Sequence, residues 1–470
     1  MNIDSSLQVD LISEVFHYQS RFEGSVMVFK IDYPVTEDLG FSGLVKDLSL
    51  LAKTGFKVII VPGAKENIDN VLKQHNIDSS DYVDITDGVS CDLASSVRVT
   101  SSQAIPYVEM AAFDVASRFM TFLSGSRVDA VIGNFVRARG LGVINGVDTG
   151  HTGTVDKIYA DSLTRVLNLG MIPILPCIGW SPSGKPYNVL SDEIALAVSK
   201  ELGAGKLFIV CAQSGPGVKI LSIPKELEKR RDGSLVRITP LQAESIIKAN
   251  SGFAESSTGC SGSLDSESVN LKNQYLRGFK LGLKASQAGV HRVHIIDGRE
   301  EGSILKELYS NLGIGTMIYT DEYDSIRSIR SRDLPDILRL MEPLMQKGIL
   351  IRRNSEQIQE KKKDYSVLEI DGSIRACGAL HDWGEFQGEI AAVATDPNYT
   401  DLGIGRKIVG FLVEKARKSR LRRVFVLTTQ SQDWFESLGF TEASVESLPE
   451  QKRKVYDQNR KSKVFALEIA

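Results

Sequence analysis

The chain has 470 residues, of which 24% are charged and 42% belong to the hydrophobic set, as is usual for a globular protein. At roughly 150 residues per domain, this length predicts about three folding units. The formal net charge of −3 argues against nucleic acid or a membrane surface as a partner of the chain as a whole.

Cysteine usage and the N-terminal residues predict a cytoplasmic protein. The five cysteines are scattered and form no CxxC pair, as expected for free thiols in a reducing compartment. Cysteines and histidines show no metal-ligand spacing, so no metal is expected. Residues 1–20 contain three acidic side chains and no long apolar run, which argues against a secretory signal. No apolar run reaches the ~18 residues that a membrane-spanning helix needs.

The first two thirds of the chain predict a helix followed by an α/β domain. Residues 7–22 have apolar side chains at helical spacing, so we predict an N-terminal helix within residues 1–22. From residue 23 to residue 320, short β-rich runs alternate with helical patterns: strands Val26–Ile31, Val58–Val61, Val128–Ile132, Ile172–Leu175, Lys206–Val210 and Val293–Ile296, and helices Phe41–Thr54, Asp161–Leu169 and Asp192–Leu202. This alternation predicts an open, mostly parallel sheet sandwiched by helices. The Ser/Gly-rich residues Ser251–Ser268 predict a loop.

The pattern changes near residues 321–330 and predicts a smaller α+β domain over residues 325–470. Its predicted elements are helix Asp333–Gln346, strands Tyr365–Ile370, Ile374–Leu380, Glu389–Thr395 and Arg423–Thr429, a helix ending near Ser419 and a short helix at Trp434–Leu438. The basic residues between Lys452 and Lys463 would suit an anionic ligand, although a solvated tail has the same composition.

A glycine-containing loop in the second domain predicts a diphosphate site. Gly403 and Gly405 precede a helix, and glycines let the backbone approach a phosphate to which the helix N-terminus points its free N–H groups. The run AAVATDPNYTDLGIGRKIVGFLV from Ala391, followed by WFESLGF, resembles the GNAT family of N-acetyltransferases. This resemblance implies acetyl-CoA as co-substrate, held by the strand and the loop: Val393, Ala394, Thr395, Thr400, Leu402, Gly403 and Gly405. Thr400 stands where the family usually has Arg or Gln.

Acetyl transfer requires a neutral amine, so a carboxylate within hydrogen-bond reach, or one water away, can act as general base. The developing oxyanion requires backbone donors. The resemblance implies that Glu389 is the base, that residues 393–395 supply the donors and that Thr428 orients a water. Phe435 replaces the tyrosine that many members use as general acid, which leaves Tyr456, a hydroxyl such as Thr428, or solvent for that role.

The first domain resembles the amino-acid kinase family, especially N-acetylglutamate kinase, over nearly all of residues 24–320. The resemblance is carried by the run VDTGHTGTVDKIYADSLTRVLNLGMIPILPCIGW and the residues after it. Kinases of this family use Gly-rich phosphate loops and two lysines. This chain has Lys30 followed by IDY instead of a glycine pair, and Gly278 where the second lysine is expected. We therefore expect no phosphoryl transfer.

A degraded kinase-like domain joined to an acetyltransferase is the organisation of the bacterial N-acetylglutamate synthase family. The resemblance extends over essentially the full chain and is strongest at GILIRRN, at the strand and loop before Gly405, and at FVLTTQSQDWFESLGF. It implies L-glutamate as the amine substrate. Guanidinium groups match carboxylates well, and the resemblance implies these residues as glutamate ligands: Arg353, Lys452, Arg460 and Ser462.

The resemblance also implies an effector site in the first domain. In arginine-sensitive members, L-arginine binds near the N-terminal helix and the last part of the kinase-like domain, where this chain has His294, Glu307 and Gly313. A homo-oligomer is expected, with a hexamer among the sizes considered. Three other functions stay open at this point: a bifunctional kinase–transferase, a non-catalytic arginine sensor and an acetyltransferase for protein lysines.

Overall fold

The computed structural model describes residues 15, 16, 19, 22–78, 81–84, 93, 96–212, 221–224, 227, 235–251, 266–310, 313–320, 324–370, 373–397, 399 and 403–469. The chain forms two compact units, Met1–Asp321 and Glu322–Ala470. The predicted N-terminal helix and the predicted Ser/Gly-rich loop lie mostly outside the described residues. Within them, no helix combines the length and the apolar character that crossing a membrane requires.

The first unit alternates strands and helices along the chain. Its strands are β1 (Val26–Ile31), β2 (Lys57–Pro62), β3 (Tyr82–Asp84), β4 (Ser96–Arg98), β5 (Ala130–Ile132), β6 (Val136–Gly140), β7 (Val143–Ile144), β8 (Val147–Asp148), β9 (Gly153–Ile158), β10 (Ile172–Ile174), β11 (Ile178–Trp180), β12 (Pro186–Asn188), β13 (Lys206–Cys211), β14 (Arg237–Ile238), β15 (Arg292–Asp297) and β16 (Thr316–Tyr319). Its helices are α1 (Tyr33–Thr36), α2 (Phe41–Lys53), α3 (Lys65–Gln74), α4 (Ile105–Gly125), α5 (Ala160–Asn168), α6 (Ser191–Glu201), α7 (Pro240–Ser251), α8 (Ser266–Gln287) and α9 (Ser303–Tyr309).

An eight-stranded sheet organises the first unit, with the strand order β14-β16-β15-β13-β1-β2-β10-β5. Every neighbouring pair is parallel except β15 and β16. Along β1, Met27 and Phe29 pack into one hydrophobic core while Val28 packs into another. Because successive side chains of a strand point to opposite faces, the sheet is buried on both sides. The predicted mostly parallel sheet between helices is confirmed.

The first unit also contains strands that were not predicted. A four-stranded sheet has the order β12-β11-β6-β9, and two hairpins pair β3 with β4 and β7 with β8. These strands are short and half-exposed, so they lack the continuous apolar runs that identified β1, β2 and β13 in the sequence.

The second unit is built on a seven-stranded sheet. Its strands are β17 (Asp324–Ser328), β18 (Tyr365–Ile370), β19 (Ser373–Asp382), β20 (Gln387–Thr395), β21 (Arg423–Thr428), β22 (Thr441–Ala443) and β23 (Lys463–Glu468). Its helices are α10 (Leu334–Gln346), α11 (Ser355–Glu360), α12 (Ile404–Lys418), α13 (Gln432–Glu436) and α14 (Glu450–Lys454). The strand order is β17-β18-β19-β20-β21-β23-β22, and β20 with β21 is the parallel pair.

Three hydrophobic cores pack against this sheet, the smallest of them around Phe425 on β21 and Val464 on β23. Leu368 and Ile408 belong to the core that α12 closes, while Val367 and Ile337 belong to the core that α10 closes. Helix α13 begins two residues before the predicted start at Trp434 and ends two residues before the predicted end at Leu438. It ends at Glu436 because the next residues form tight turns up to Gly439. The predicted α+β architecture of the second unit is confirmed.

A buried hydrogen-bonded pair of side chains connects the last elements of the first unit. His294 on β15 lies 2.7 Å from Oε1 of Glu307 on α9, and Oε2 of Glu307 accepts hydrogen bonds from the N–H groups of Ile314 and Gly315 at 2.7 and 2.8 Å. Burial lowers the pKa of His294, against the opposing effect of Glu307. Burial raises the pKa of Glu307, but the bonds from His294 and the loop outweigh it and the pKa is lowered. The pair therefore consists of a neutral imidazole and a carboxylate.

We predict that lowering the pH from 7 to 5 destabilises the first unit through His294. Because its folded pKa lies below the usual 6.5, the unfolded chain binds a proton that the folded chain does not, and stability falls as the pH drops through that window. The lowered pKa of Glu307 adds its own loss only below about 4.5, the usual glutamate value. His294→Gln should therefore flatten the dependence of Tm on pH, measured by calorimetry. The exposed neighbour variant His291→Gln should keep the wild-type slope, and an unchanged slope in His294→Gln would contradict the prediction.

Candidate active site

The centre of the second unit is a gap between two parallel strands. Strand β20 pairs with β21 only at Gln387, Gly388 and Glu389, while its pairing with β19 continues to Thr395. A register shift in the β19–β20 ladder and a positive φ of 53° at Ala392 bend β20 just after Glu389. The edge of β20 that faced β21 is therefore open from Ile390 onward.

The open edge of β20 carries backbone donors. The N–H of Asp396 donates to the carbonyl oxygen of Arg375, on the β19 side, at 2.8 Å. Because successive N–H groups of an extended strand point to opposite edges, the N–H groups of Thr395 and Val393 point toward the gap. Two donors at this spacing could stabilise a developing oxyanion. Ala394, the third predicted residue of this strand, is buried between them.

The N-terminus of α12 lies beside the same strand. Gly403 precedes the helix with a φ of 62°, a left-handed conformation that favours glycine, and no acidic residue occupies the first turn. A Cβ at Gly405 would lie 3.1 Å from the Trp434 ring and 3.6 Å from Thr395, so a side chain there would crowd both. The free N–H groups of this turn can bind an anion such as a diphosphate. Thr400 and Leu402, also predicted to bind acetyl-CoA, lie outside the described residues.

Glu389, the predicted base, is buried at the last paired position of β20. Its Oε2 accepts hydrogen bonds from Nε1 of Trp383 at 2.8 Å and from Nζ of Lys452 at 2.7 Å. Lys452 was predicted to bind the substrate, whereas its ammonium group here forms an ion pair with Glu389. The contact of Trp383 was not predicted. The sequence offered one indication of this contact, because Trp383 is an aromatic residue in the turn just before β20, the strand that carries Glu389.

Arg460 lies within electrostatic reach of both Glu389 and Arg353. Burial lowers the pKa of Arg460, and the charge of Arg353 lowers it further. Arg460 also donates to the carbonyl oxygen of Ile349, in the loop that leads to Arg353. Among the described residues no carboxylate forms an ion pair with Arg353 or Arg460. Arg353 is half-buried while Arg352 is exposed, a difference that the sequence could not provide.

The remaining predicted residues of the second unit are held by backbone groups. Thr428 ends β21, and its Oγ1 accepts the N–H of Ser431 at 3.0 Å, which leaves its hydroxyl proton to donate. Tyr456 donates its phenol proton to the carbonyl oxygen of Ser462 at 2.6 Å. The Ser462 side chain is buried two residues after Arg460. Tyr456 thus closes the turn that holds Arg460 and Ser462.

The pocket of the first unit that Lys30 lines contains several ion pairs. Lys30 binds Asp32 and lies 2.9 Å from Asp192, to which Arg277 is also bonded. Burial raises the pKa of Asp192, but Arg277 and Lys30 outweigh it and lower the pKa to about 2. The cations that could meet a phosphate are therefore neutralised within the chain. Gly278, where a second lysine was expected, lines the same pocket.

The three predicted effector residues are neighbours in the structure. His294 and Glu307 form the buried pair described above, and a Cβ at Gly313 would lie 2.5 Å from Oε2 of Glu307. Glu307 is therefore a buried carboxylate bonded to the loop around Gly313. Among the described residues of the whole chain, no group of three or more His, Cys, Asp or Glu side chains is arranged to hold a metal ion.

Comparisons with known sequences divide the chain in the same order. The model of the Amino acid kinase family matches residues 32–215, and the model of the Acetyltransferase (GNAT) family matches residues 325–440. The amino-acid acetyltransferase of Salmonella typhimurium is 31% identical over 462 residues, which cover 96% of each chain. The amino-acid acetyltransferase of Vibrio cholerae is 31% identical over 479 residues, which cover both chains completely.

Solved structures agree with these sequences. N-acetylglutamate synthase from Neisseria gonorrhoeae, complexed with coenzyme A and L-arginine, matches with a TM-score of 0.78 and 29% identity, covering 98% of this chain and 99% of that chain. The same synthase complexed with coenzyme A and N-acetyl-glutamate matches with a TM-score of 0.56 and 30% identity over the same shares of the two chains. The chain therefore belongs to the amino-acid acetyltransferase family, with an amino-acid-kinase-like unit followed by a GNAT acetyltransferase unit.

Proposed function

We propose that this enzyme transfers the acetyl group of acetyl-CoA to the α-amino group of L-glutamate and that L-arginine regulates it through the first unit. The observation that carries the proposal is the guanidinium group of Arg460, which lies within electrostatic reach of both Arg353 and Glu389. The proposed organisation is an N-terminal helix within residues 1–22, a regulatory domain over 23–320 and a catalytic domain over 325–470. The proposal includes a homo-oligomer that acts in the cytoplasm.

Acetyl-CoA is the proposed donor because the open edge of β20 and the N-terminus of α12 offer N–H groups to two parts of one ligand. The N–H groups of Val393 and Thr395 suit the thioester oxygen, and those after Gly403 suit the diphosphate. The gonococcal synthase, whose fold this chain shares, was crystallised with coenzyme A. Thr400 and Leu402 belong to this proposed site by resemblance.

L-glutamate is the proposed acceptor because it brings two carboxylates to a site with two cations. Arg353 and Arg460 have no carboxylate partner among the described residues, and burial disfavours the charge of Arg460. A guanidinium group that is partly removed from water gains most when a carboxylate binds it. Ser462, two residues after Arg460, adds a hydroxyl. The gonococcal complex with N-acetyl-glutamate, the expected product, supports this substrate.

In the proposed reaction, Glu389 takes a proton from the substrate ammonium group, directly or through a water held by Thr428. The neutral amine attacks the thioester carbonyl carbon, and the new oxyanion accepts hydrogen bonds from the N–H groups of Val393 and Thr395. The C–S bond then breaks, the nitrogen loses its second proton to solvent, and the thiolate leaves. Thr428 or solvent supplies the proton that makes the thiol of coenzyme A, and Tyr456 can do so only after its phenol leaves the carbonyl oxygen of Ser462.

Removing the base is expected to slow the chemical step. Glu389→Gln keeps the shape of the side chain but cannot accept a proton, so we predict that kcat falls by about 10²- to 10⁴-fold. The affinity for acetyl-CoA should stay close to wild type, because the proposed donors for that ligand are backbone groups. Thiol release measures kcat, and calorimetry measures binding. Glu442→Gln, an exposed carboxylate change on β22, is the control. Full activity of Glu389→Gln would remove this residue from the role of base.

Removing either cation is expected to weaken glutamate recognition. Arg353→Gln and Arg460→Gln each leave one substrate carboxylate without its charged partner, so the KM for glutamate should rise about 30-fold or more, the equivalent of about 2 kcal/mol. The exposed neighbour variant Arg352→Gln is the matched control and should change KM little. A weaker affinity for acetyl-CoA with an unchanged glutamate KM would assign these arginines to the other substrate.

L-arginine is the proposed effector because Glu307 is a buried carboxylate in the region where related proteins bind arginine. The gonococcal synthase was crystallised with L-arginine. Both oxygens of Glu307 are bonded to protein groups, so a guanidinium group would have to replace His294 or the loop N–H groups. Such an exchange would give arginine a different affinity for two conformations, which is what regulation requires.

Glu307→Gln tests this regulatory proposal. The amide keeps the volume of the side chain but loses the charge that would attract a guanidinium group, so half-maximal response should need about 10-fold more arginine or more, the loss of about 1.4 kcal/mol. Acetyl transfer is measured against arginine concentration and normalised to the rate of each variant without arginine. Glu301→Gln, an exposed change just before α9, should respond like wild type. Equal responses from both variants would show that Glu307 does not bind arginine.

A further inference from the structure

The two protein donors that contact Glu389 both use the same carboxylate oxygen. Trp383 and Lys452 donate to Oε2 at 2.8 and 2.7 Å, and none of the described residues donates to Oε1. We propose that Trp383 and Lys452 are positioning residues that orient Glu389 so that its Oε1 accepts the proton of the substrate amine. This inference rests on the proposed role of Glu389 as general base.

Two donors are needed because a glutamate carboxylate rotates easily. The last torsion of the side chain has a broad, two-fold preference, so packing alone leaves the plane of the carboxylate poorly defined. One hydrogen bond fixes the direction of Oε2, and a second from another direction fixes the tilt of the plane. Oε1 is then held in one orientation. Proton transfer depends on this geometry first, and small misplacements are costly.

The β19–β20 turn contains Trp383 and is bonded to the helix that carries Lys452. Trp383 begins the β19–β20 turn, and its N–H donates to the carbonyl oxygen of Gln387 at 3.1 Å. In the same turn, Oε1 of Glu385 accepts the N–H of Glu450 at 3.0 Å. Glu450 is the first residue of α14, the helix that carries Lys452. The ammonium group of Lys452 also lies 4.7 Å from the centre of the Trp383 ring. The two donors are thus mechanically connected to each other as well as to Glu389.

This contact gives Lys452 a role other than the one that resemblance implied. Lys452 and Glu389 are both buried, and separating a buried ion pair leaves an unpaired charge in a poorly solvated place. A substrate carboxylate would have to compete with Glu389 for the ammonium group, whereas no carboxylate in the described part of the chain pairs with Arg353 or Arg460. If Lys452 bound glutamate, its substitution would raise mainly the KM for glutamate. Because it is a positioning residue, its substitution lowers mainly kcat.

The experiment measures kcat and the glutamate KM separately in two variants of the full chain. Trp383→Phe keeps an aromatic ring but removes the N–H donor, and Lys452→Met keeps the aliphatic stem but removes the charge. Each should lower kcat by about 10- to 100-fold, the cost of a misplaced catalytic group, with the glutamate KM within about 3-fold of wild type. The matched control is Lys454→Met on the same helix, since Lys454 is exposed and paired only with Glu450. It should keep both constants.

A second pair of variants separates positioning from a general loss of structure. If Trp383 acts through Glu389, then Trp383→Phe added to Glu389→Gln should cause no further loss of kcat, because the base that Trp383 orients is already gone. A further 10-fold loss would overturn the proposal in favour of a structural role. Wild-type kcat in Trp383→Phe and Lys452→Met, or a rise in the glutamate KM alone, would also overturn it. Full activity of Glu389→Gln itself would overturn the proposed base, whereas a slow Glu389→Gln with two fully active positioning variants would overturn only this inference.

Discussion

The catalytic unit depends on the separation of β20 from β21 immediately after Glu389. A parallel pair that continued to Thr395 would use the N–H groups of Val393 and Thr395 in the sheet, and no donors would remain for a thioester. Because the strands separate, a ligand can accept hydrogen bonds from these N–H groups, whose residues are half-buried. The positive φ at Ala392 supplies the bend that opens the gap. A non-glycine residue in that conformation is a local cost that the surrounding sheet sustains at a functional position.

The charged side chains of this unit differ in whether they have partners within the chain. Glu389 accepts hydrogen bonds from Lys452 and Trp383, while neither Arg353 nor Arg460 forms an ion pair with a carboxylate of the described residues. A site with one compensated anion and two uncompensated cations suits a ligand with two negative groups and one positive group. Burial acts against the charge of Arg460, and the neighbouring charge of Arg353 adds to this effect. The proposed binding of a dicarboxylate would relieve this cost.

The first unit pairs the two cations of its pocket with its own carboxylates. Lys30 and Arg277 would be unpaired cations in a largely buried pocket if nothing met them. Asp192 meets both, and Asp32, at a position where the kinases have glycine, meets Lys30 as well. Both cations are thus paired with carboxylates of the chain itself. The fold retains its sheet and both hydrophobic cores, and the buried pair of His294 and Glu307 closes its last elements.

Much of this protein could be predicted from the sequence because burial repeats along the chain with the period of each element. Continuous apolar runs identified β1 and β13, alternation identified the parallel sheet, and two glycines before a helix identified the N-terminus of α12. Short, half-exposed strands such as β6 and β12 were not predicted, because their sequences have no such period. The contacts between side chains were not predicted either. Glu389 and Lys452 are 63 positions apart, and nothing local in the sequence connects them. The contact between Lys452 and Glu389 depends on the packing of the β19–β20 turn against α14, which only the tertiary structure shows. Likewise, only the tertiary structure shows that Arg353 is half-buried while Arg352 is exposed.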